Sequence, residues 1–323
     1  GDLARLYIDY TDPAIATAPS TVIVKLPTEE PGGRQVGSML RAWAREVAFY
    51  QQVAPASPGA RVPACYHVAA DPGADRWVVV LEDRPMLAVD PAAGATPEQA
   101  AAAVDALAVF HRTWWQRDQA FDWMPGFDTM GVGGLQPAWL DALPVFRERY
   151  AHVVPGPTGA WVERFADQLP NWSDRAATEP LTVVHADYRL DNLIFAPPTP
   201  GATTDADDGL DVTIIDWQTA LRGPGAMDLT SFCATSLTIA DRRDCEADLI
   251  ARYLDGLSAG GLEVDTDWFE RSYDENLLWW MGQFANNLAR LEPDDPATQR
   301  SLDTMIERTY TAALDRDVVR LLT

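Results

Sequence analysis

A polar loop between two apolar runs constrains the fold of this 323-residue chain more than any other feature. A short apolar run leads into His185, Asp187 and Asn192, and a second apolar run follows at once. Short runs rich in β-branched and aromatic residues are typical of strands. Another such run, residues 212–215, leads to Asp216, 24 residues after Asn192. The pattern predicts a small sheet that holds one polar loop and one further aspartate.

The spacing of these polar residues, His-x-Asp-x-x-x-x-Asn followed by a strand-borne Asp, is the layout used for phosphoryl transfer. That chemistry needs a carboxylate near the attacking hydroxyl, and oxygen ligands for Mg²⁺ that leave room for phosphates. Asp187 would supply the carboxylate, while Asn192 and Asp216 would supply the ligands. ATP and Mg²⁺ are the expected co-substrate and metal.

Two segments, HADYRLDN at residues 185–192 and IIDW at residues 214–217, resemble the signature of the aminoglycoside phosphotransferase superfamily. That superfamily includes choline-kinase-like small-molecule kinases and is related in fold to protein kinases. The resemblance implies an α+β, two-lobed protein-kinase-like fold. We expect a small antiparallel-sheet lobe at the N-terminus and a large, mostly helical C-terminal lobe.

Individual roles in the polar loop follow from this resemblance. It implies that Asp187 is the catalytic base or positions the substrate hydroxyl, with His185 and Arg189 supporting the loop. Asn192 and Asp216, assigned above from their chemistry, take the metal-ligand positions of the family's signature as well. The superfamily usually has Gly after the His, whereas this chain has Ala186, a residue small enough to preserve the loop geometry.

The sequence pattern changes from strand-rich to mostly helical near residue 83. We take this point as the lobe boundary, which gives lobes 1–83 and 84–323. Strands are predicted at residues 3–10, 21–26, 62–70 and 77–81, and strand-like segments at 181–195 and 211–217. Helices are predicted at 38–53, starting at a Ser38 cap, and at 97–117, starting at a Thr96 capping box. Further helices are expected at 138–151, 159–169, 226–237, 241–257, 267–290 and 297–320. Residues 27–37 and 196–209 are predicted to be loops.

A lysine interrupts the second predicted strand. Lys25 in TVIVKL would be costly to bury without a partner, unless it lies on an edge strand and reaches water. In the kinase interpretation it binds the nucleotide phosphates and pairs with a carboxylate on the next helix. Glu46 is the favoured partner, because Glu29 and Glu30 lie in a loop.

Two further N-terminal features bear on ATP. The segment WVVVLEDR at residues 77–84 resembles the strand and hinge that contact adenine, through backbone groups of Glu82 and Arg84. The glycine-rich loop that the family carries just before a strand like residues 3–10 is not in the sequence, nor is the strand that precedes it. We expect Gly1 to be the last residue of that loop and the preceding strand to lie before it in a longer chain.

Later in the chain, the resemblance implies that Asp228 braces the catalytic loop, although an aspartate at a helix start is explained equally well by the helix dipole. His111 is interpreted as a core or supporting residue. The last helices offer a stripe of acids and aromatics that would suit an amine-bearing substrate, although such a stripe is also typical of core packing. Its members are Asp274, Glu275, Trp279, Trp280 and Gln283, continued by Phe284 and Asn287.

Composition narrows the function classes. The formal net charge is −23, which disfavours nucleic-acid binding. It indicates either a solubilising acidic surface or attraction of a cationic substrate. Three cysteines without a CxxC pair suit a reducing cytoplasm, and no apolar run is long enough to span a bilayer. The predicted location is cytoplasmic, without a membrane partner, and the oligomeric state is left open.

The favoured function is an ATP- and Mg²⁺-dependent transfer of phosphate to a hydroxyl of a small molecule, with an aminoglycoside or another cationic metabolite as candidate acceptors. One alternative is a kinase of a hydroxy acid or hydroxyacyl thioester. The alternative from another class is a non-catalytic nucleotide-binding scaffold or sensor. GxxxxGK[ST] does not occur, which excludes a P-loop enzyme, and the chain offers no second credible histidine partner for a serine hydrolase.

Overall fold

The computed structural model of the chain divides into two compact units. Unit 1 comprises Gly1–Leu87 and Asn192–Ala220, and unit 2 comprises Ala88–Asp191 and Leu221–Thr323. The second segment of unit 1 belongs to the part that we assigned to the C-terminal lobe, and the lobe division at residue 83 stays a prediction. The structure describes residues 1–11, 18–29, 37, 41–71, 73, 76–87, 89–117, 121–127, 129, 131–197, 209–289, 291 and 295–322.

Unit 1 contains a four-stranded antiparallel sheet of order β1-β2-β4-β3. The strands are β1 (Asp2–Tyr7), β2 (Thr21–Leu26), β3 (Cys65–Asp71) and β4 (Arg76–Glu82). Side chains along β4 alternate between buried and less buried positions, as the period of a half-buried strand requires. The predicted N-terminal strands correspond to these four: the bounds of β2 are as predicted, and those of the other three are shifted by one to three residues.

A helix and a second small sheet complete unit 1. Helix α1 (Ala42–Ala48) continues as a π-helical turn, Phe49–Val53, and a 3₁₀ turn, Ala54–Ala56. The predicted cap Ser38 and the neighbouring residues 39–40 lie outside the described residues. Strands β6 (Leu193–Ala196) and β7 (Asp211–Ile214) pair antiparallel, and a 3₁₀ turn, Trp217–Thr219, follows.

Unit 2 is mostly helical. Its helices are α2 (Pro97–Trp114), α3 (Gln136–Arg149), α4 (Thr158–Ala176), α5 (Ala226–Ser236), α6 (Ile239–Ser258), α7 (Thr266–Leu288) and α8 (Pro296–Asp315). Three 3₁₀ turns accompany them, at Val132–Leu135, Leu190–Asn192, which reaches unit 1 at its last residue, and Val318–Leu321. The predicted capping box at Thr96 is confirmed, because Thr96 and Gln99 each accept the other's backbone N–H.

One prediction in this region was wrong, and one strand was not predicted. Helix α4 continues to Ala176 instead of ending before Pro170, because its buried face, which includes Leu169 and Trp172, keeps packing beyond the proline. The strand β8 (Leu221–Pro224), which was not predicted from the sequence, pairs antiparallel with β5 (Leu181–Val184).

The core of unit 2 contains an aromatic cluster between α3, α4 and α7. The Trp279 ring lies 5.5 Å from Trp139 and 5.3 Å from Trp172, centroid to centroid. Gly282 allows α3 and α7 to approach, since a Cβ at that position would lie 2.0 Å from the Trp139 ring. No helix of the described residues is both long and apolar enough to cross a membrane.

Candidate active site

A buried lysine and two carboxylates form the charged centre of unit 1. Lys25 on β2 is 6 % exposed. Its Nζ donates to Oε1 of Glu46 on α1 at 2.9 Å and forms an ion-pair contact of 2.8 Å with Oε2 of the same carboxylate. It also lies 2.5 Å from Oδ1 of Asp216. The sequence predicted the Lys25–Glu46 pair, but the direct contact with Asp216 had no signal in the spacing.

Packing of α1 explains how Glu46 reaches this cluster. Phe49 stacks on Trp217, with ring centroids 4.0 Å apart and planes 9° apart. This contact fixes the helix against the turn that follows Asp216. Burial disfavours the ammonium of Lys25, but Glu46 and Asp216 outweigh it and raise the pKa of that lysine. Lys25 is therefore held as a cation between two acids.

Asp216 lies where the backbone is strained. Its φ is 65° and its ψ is 58°, in the left-handed region that residues other than glycine adopt at a cost of about 1 kcal/mol. Its side chain is 29 % exposed, and Oδ2 accepts a 3.3 Å hydrogen bond from Gln218. Such outliers cluster at functional sites, so the strain marks Asp216 as a functional candidate.

Asn192 lies beside this aspartate at the β6–β7 pair. Its carbonyl oxygen accepts a 3.0 Å hydrogen bond from the N–H of Ile215, the residue before Asp216. Asn192 is 6 % exposed. Unit 1 thus brings the two predicted metal ligands to the same end of one small sheet.

The predicted adenine-contacting residues follow β4. The N–H of Glu82 donates to the Ala64 carbonyl at 2.8 Å. Because this N–H is already used, the Glu82 backbone would contact a nucleotide through its carbonyl oxygen. The Glu82 carboxylate accepts hydrogen bonds from Ala64 N–H at 3.1 Å and from Arg84 at 3.2 Å. Both side chains therefore brace this segment, and the nucleotide contact stays a prediction.

In unit 2, one buried carboxylate holds the start of the predicted catalytic loop, which begins at His185. Asp228, at the start of α5, accepts the backbone N–H of His185 at 2.6 Å and that of Ala186 at 2.8 Å. It is 0 % exposed. The φ of Ala186 is 59°, in the region that favours glycine, which explains why the family has Gly at this point.

Asp228 also belongs to a network that sequence reasoning missed. Nε2 of His111 on α2 lies 3.2 Å from Asp228 Oδ2, and Nδ1 of His111 lies 2.7 Å from the Tyr253 hydroxyl on α6. All three side chains are fully buried. The bonding is satisfied when Tyr253 donates to Nδ1 and Nε2–H donates to Asp228. No spacing rule connects residues so distant in sequence.

The Asp187 carboxylate lies within the same loop. Its Oδ1 accepts a 3.0 Å hydrogen bond from Nε of Arg189, whose other end donates to Asp191 Oδ2 at 2.6 Å. The backbone N–H of Asp187 donates to Nδ1 of His185 at 3.2 Å. The N–H of Leu190 donates to Ser236 Oγ at 2.9 Å, another partner without a sequence signal. The loop is thereby fixed on both sides of Asp187.

Comparison with known families decides the class of this chain. The model of the phosphotransferase enzyme family (APH) matches residues 16–268, more than three quarters of the sequence. The chain belongs to this family. The match includes every predicted catalytic, metal-binding and nucleotide-binding position, from Lys25 to Asp228. No curated protein matches the chain.

Solved structures agree on the fold of the family. A putative aminoglycoside phosphotransferase from Ralstonia eutropha is 16 % identical, with a TM-score of 0.54 over 98 % of this chain and 93 % of that chain. An aminoglycoside phosphotransferase from Alicyclobacillus acidocaldarius is 16 % identical, with a TM-score of 0.50 over 94 % and 87 %. A spectinomycin phosphotransferase, solved with ADP and spectinomycin, is 10 % identical, with a TM-score of 0.54 over 92 % and 86 %.

These comparisons confirm three predictions: the superfamily, the protein-kinase-like fold and the activity of a phosphotransferase that acts on an alcohol group. The chain is a small-molecule phosphotransferase. At such low identity the solved structures show the fold alone, and they do not assign a substrate to this member of the family.

The predicted substrate acids are bound within the protein. Asp274 is 1 % exposed and forms ion pairs with Arg316 and Arg320. Glu275 is 4 % exposed, accepts from Trp172 Nε1 at 3.1 Å, and pairs with arginines on α4 and α7. These contacts explain the burial of both carboxylates without a ligand.

Some of the other predicted substrate-binding residues on α7 belong to the core, and others are partly or fully exposed. Trp279 belongs to the aromatic cluster of unit 2, and Trp280 Nε1 donates to the Met227 carbonyl at 3.0 Å. Gln283 is half-buried, Phe284 is buried and Asn287 is exposed. The role of these residues in binding substrate stays a prediction.

Proposed function

We propose that this enzyme transfers the γ-phosphoryl group of ATP, with Mg²⁺, to a hydroxyl of a small molecule. The observation that carries the proposal is the Lys25 cluster, in which one buried ammonium contacts Glu46 and the strained, partly exposed Asp216. Burying three charges is rarely a net gain in stability, because desolvation offsets the attraction. A cluster of this kind indicates a functional site.

The residues of unit 1 fit a magnesium ion that is completed by phosphate oxygens. No group of three or more His, Cys, Asp or Glu side chains that could hold a metal occurs among the described residues. Asn192 and Asp216 instead provide one amide and one carboxylate at one sheet end. Mg²⁺ commonly takes only one or two protein ligands and fills its shell with water and substrate phosphates. When bound there, the ion would neutralise charge on the phosphates.

Lys25 would provide the positive charge for the nucleotide phosphates. Glu46 holds the ammonium from the buried side, so the lysine keeps its position when a phosphate competes for the face that now meets Asp216. This arrangement fixes the cation before substrate arrives, which is how electrostatic preorganisation lowers a barrier.

In unit 2, Asp187 would orient the acceptor hydroxyl. As the hydroxyl oxygen bonds to the γ-phosphorus and the bond from that phosphorus to the departing ADP oxygen breaks, the hydroxyl proton passes to the Asp187 carboxylate. Arg189 holds one oxygen of this carboxylate, and Asp228 holds the loop behind it. Positioning and proton transfer of this kind contribute about 10²–10⁴-fold to the rate.

The acceptor class is open within this proposal. A relative of the same fold is a spectinomycin phosphotransferase solved with ADP and spectinomycin, which supports a nucleotide-dependent transfer to a small molecule. The acceptors to test are therefore aminoglycosides, choline-like amines, sugars, hydroxy acids and hydroxyacyl thioesters.

The deciding experiment measures acceptor-dependent ATP consumption with Mg²⁺ in the wild type and in Asp187→Asn. The matched control is Asp248→Asn, which changes an exposed aspartate on α6. We expect turnover with at least one acceptor, retained in the control and reduced at least about 100-fold in Asp187→Asn, with ATP binding unchanged. Equal turnover in wild type and Asp187→Asn would contradict the proposal.

A further inference from the structure

A small hollow in unit 2 adjoins the catalytic loop and is not explained by the roles described above. Its volume is about 60 Å³. A water molecule needs roughly 10–15 Å³ on this measure, so the hollow accepts a group of a few heavy atoms. The polar residues that line it are Arg189, Asp191, Thr235, Ser236, Ser301, Thr304 and Arg308. We call it the Arg308 hollow.

Arg308 on α8 is the unusual member of this lining. It is 5 % exposed, and its terminal nitrogens donate to the carbonyls of Pro91 at 2.7 Å, Thr235 at 3.1 Å and Ala92 at 2.6 Å. Within the described part of the chain, no carboxylate forms an ion pair with it and no group accepts from its Nε. The guanidinium is anchored by neutral oxygens, and its charge is not paired.

The other buried arginine among the described residues, Arg242, pairs with acids, and so does the half-buried Arg316. Arg242 is 2 % exposed and forms ion pairs with Glu246 and Asp315. Arg316 forms ion pairs with Asp274 and with further acids of α6 and α7. In a protein with a net charge of −23, carboxylates are abundant, so an arginine buried without one is informative. A buried charge of this kind calls for an anion from outside the chain.

The electrostatics around Arg308 leave that requirement in place. Burial lowers the pKa of the guanidinium, and the charges of Glu307, Asp241 and Asp90 act against this shift. None of these three acids lines the hollow. The lining holds two guanidinium groups, and since Arg189 is paired with Asp187 and Asp191, the positive charge without an ion pair at the lining is that of Arg308.

Hydrogen bonds connect the hollow to the catalytic loop. Arg308 donates to the Thr235 carbonyl, and the next residue, Ser236, accepts the N–H of Leu190. Arg189, another residue of the lining, holds Asp187 through a 3.0 Å hydrogen bond. A group bound in the hollow would therefore lie next to the loop that orients the acceptor hydroxyl.

Resting on the proposed function, we propose that the Arg308 hollow binds a carboxylate of the acceptor, so that the enzyme phosphorylates a hydroxy acid or a larger acceptor that carries one. The volume suits a carboxylate, and the charge of Arg308 supplies the attraction. The assignment places acceptor recognition on α8 and the catalytic loop, not on the acid and tryptophan stripe of α7.

Binding without nucleotide tests the anion site directly. Calorimetric titration would use three probes, 3-hydroxypropanoate, 4-hydroxybutanoate and 5-hydroxypentanoate, each beside its neutral amide. We expect at least one acid to bind about tenfold more tightly than its amide, a preference worth about 1.4 kcal/mol. If every acid binds no more tightly than its amide, or if no acid binds, the assignment is overturned.

Variants separate charge from structure. In Arg308→Gln the acid-to-amide preference should fall to about one, while Arg308→Lys should keep part of it, because lysine retains the charge. Arg252→Gln, at an exposed arginine of α6, is the matched control and should keep the full preference. A purely structural Arg308 would lower the melting temperature and leave the preference intact. Since wild type alone already tests the preference, poor folding of a variant leaves the test valid.

Turnover with ATP distinguishes failure of this inference from failure of the proposed function. A preference for acids together with no acceptor-dependent ATP consumption would keep the anion site and contradict the kinase proposal. Turnover of cationic or neutral acceptors that is lost in Asp187→Asn, without any preference for acids, would keep the kinase and overturn the anion site.

Discussion

Two clusters of buried charge, one in each unit, have opposite constructions. In unit 1, one lysine serves two carboxylates, and Asp216 has both strained backbone and partial exposure. In unit 2, Asp274 is almost fully buried and paired by two arginines, Arg316 and Arg320. The first cluster leaves charge and access for a ligand, whereas the second is closed by the protein itself. Buried acids are therefore not equivalent evidence for a site, and their partners decide.

The largest expected effect comes from removing the unit 1 pair. In the double variant Lys25→Met/Glu46→Gln, acceptor-dependent kcat/KM should fall by at least about 100-fold, since the phosphate-binding cation is lost. The free energy of unfolding should change by less than about 2 kcal/mol, because replacing a buried ion pair by uncharged groups is often nearly neutral. Steady-state kinetics and urea unfolding check both. A folded double variant with full activity would break the comparison from the unit 1 side.

The unit 2 cluster should respond in the opposite way. Asp274→Asn removes the buried acid that pairs with both Arg316 and Arg320 and should lower the free energy of unfolding by about 3 kcal/mol. Because the carboxylate is closed off from ligands, kcat/KM per folded molecule should stay within about twofold of wild type. Chemical unfolding and active-enzyme titration are the measurements. A large rise in KM with stability unchanged would restore the predicted substrate role of Asp274.

A third acid, Glu179, extends the comparison to the pH dependence of stability. Burial, and then the negative charge of Glu275, raise the pKa of Glu179 from 4.5 to about 7. The native state therefore binds more protons than the unfolded state between these values, and stability should fall as pH rises from about 4.5 to 7. The loss from this group should be about 1–3 kcal/mol.

Glu179→Gln should remove that part of the slope, and Glu163→Gln, at an exposed acid of α4, should keep it. Urea unfolding at several pH values between 4.5 and 7 gives the slopes. If wild type and Glu179→Gln have the same slope, Glu179 titrates without the influence of Glu275 and of burial.

The smallest effect concerns the catalytic loop. Ala186→Gly should be tolerated and change stability by no more than about 1 kcal/mol, since relief of the left-handed strain is offset by chain entropy. Ala186→Val should be markedly worse, because β-branched residues rarely adopt a positive φ. Thermal unfolding and kcat of both variants test this. Equal behaviour of the two variants would show that the φ at this position is not constrained.

Much of the candidate site could be predicted from the motifs, because its residues lie close together in the sequence. The sequence order of His185, Asp187 and Asn192 places them in one short loop, and Lys25 and Glu46 follow a strand and the next helix, so spacing alone predicts their neighbourhoods. The strand β8 was missed because its Gly and Pro are turn residues, and only pairing with β5 makes it extended. Pairing partners distant in sequence have no such signal.

Long-range contacts explain the remaining differences. The contacts of Asp228 with His111, and of Arg308 with the carbonyl of Pro91, join positions far apart in the chain. The predicted substrate-binding role of the stripe on α7 has another difficulty. Helix α7 is buried on nearly all sides between Phe269 and Ala285, so helical spacing cannot tell a pocket face from a core face.

The most direct test compares one carboxylate from each cluster through metal-dependent nucleotide binding. ATP affinity would be titrated with and without Mg²⁺ in wild type, Asp216→Asn and Asp274→Asn. If Asp216 holds the metal and Asp274 is closed by arginines, Mg²⁺ should strengthen ATP binding in wild type and Asp274→Asn, but not in Asp216→Asn. A magnesium effect that survives in Asp216→Asn and disappears in Asp274→Asn would contradict the account.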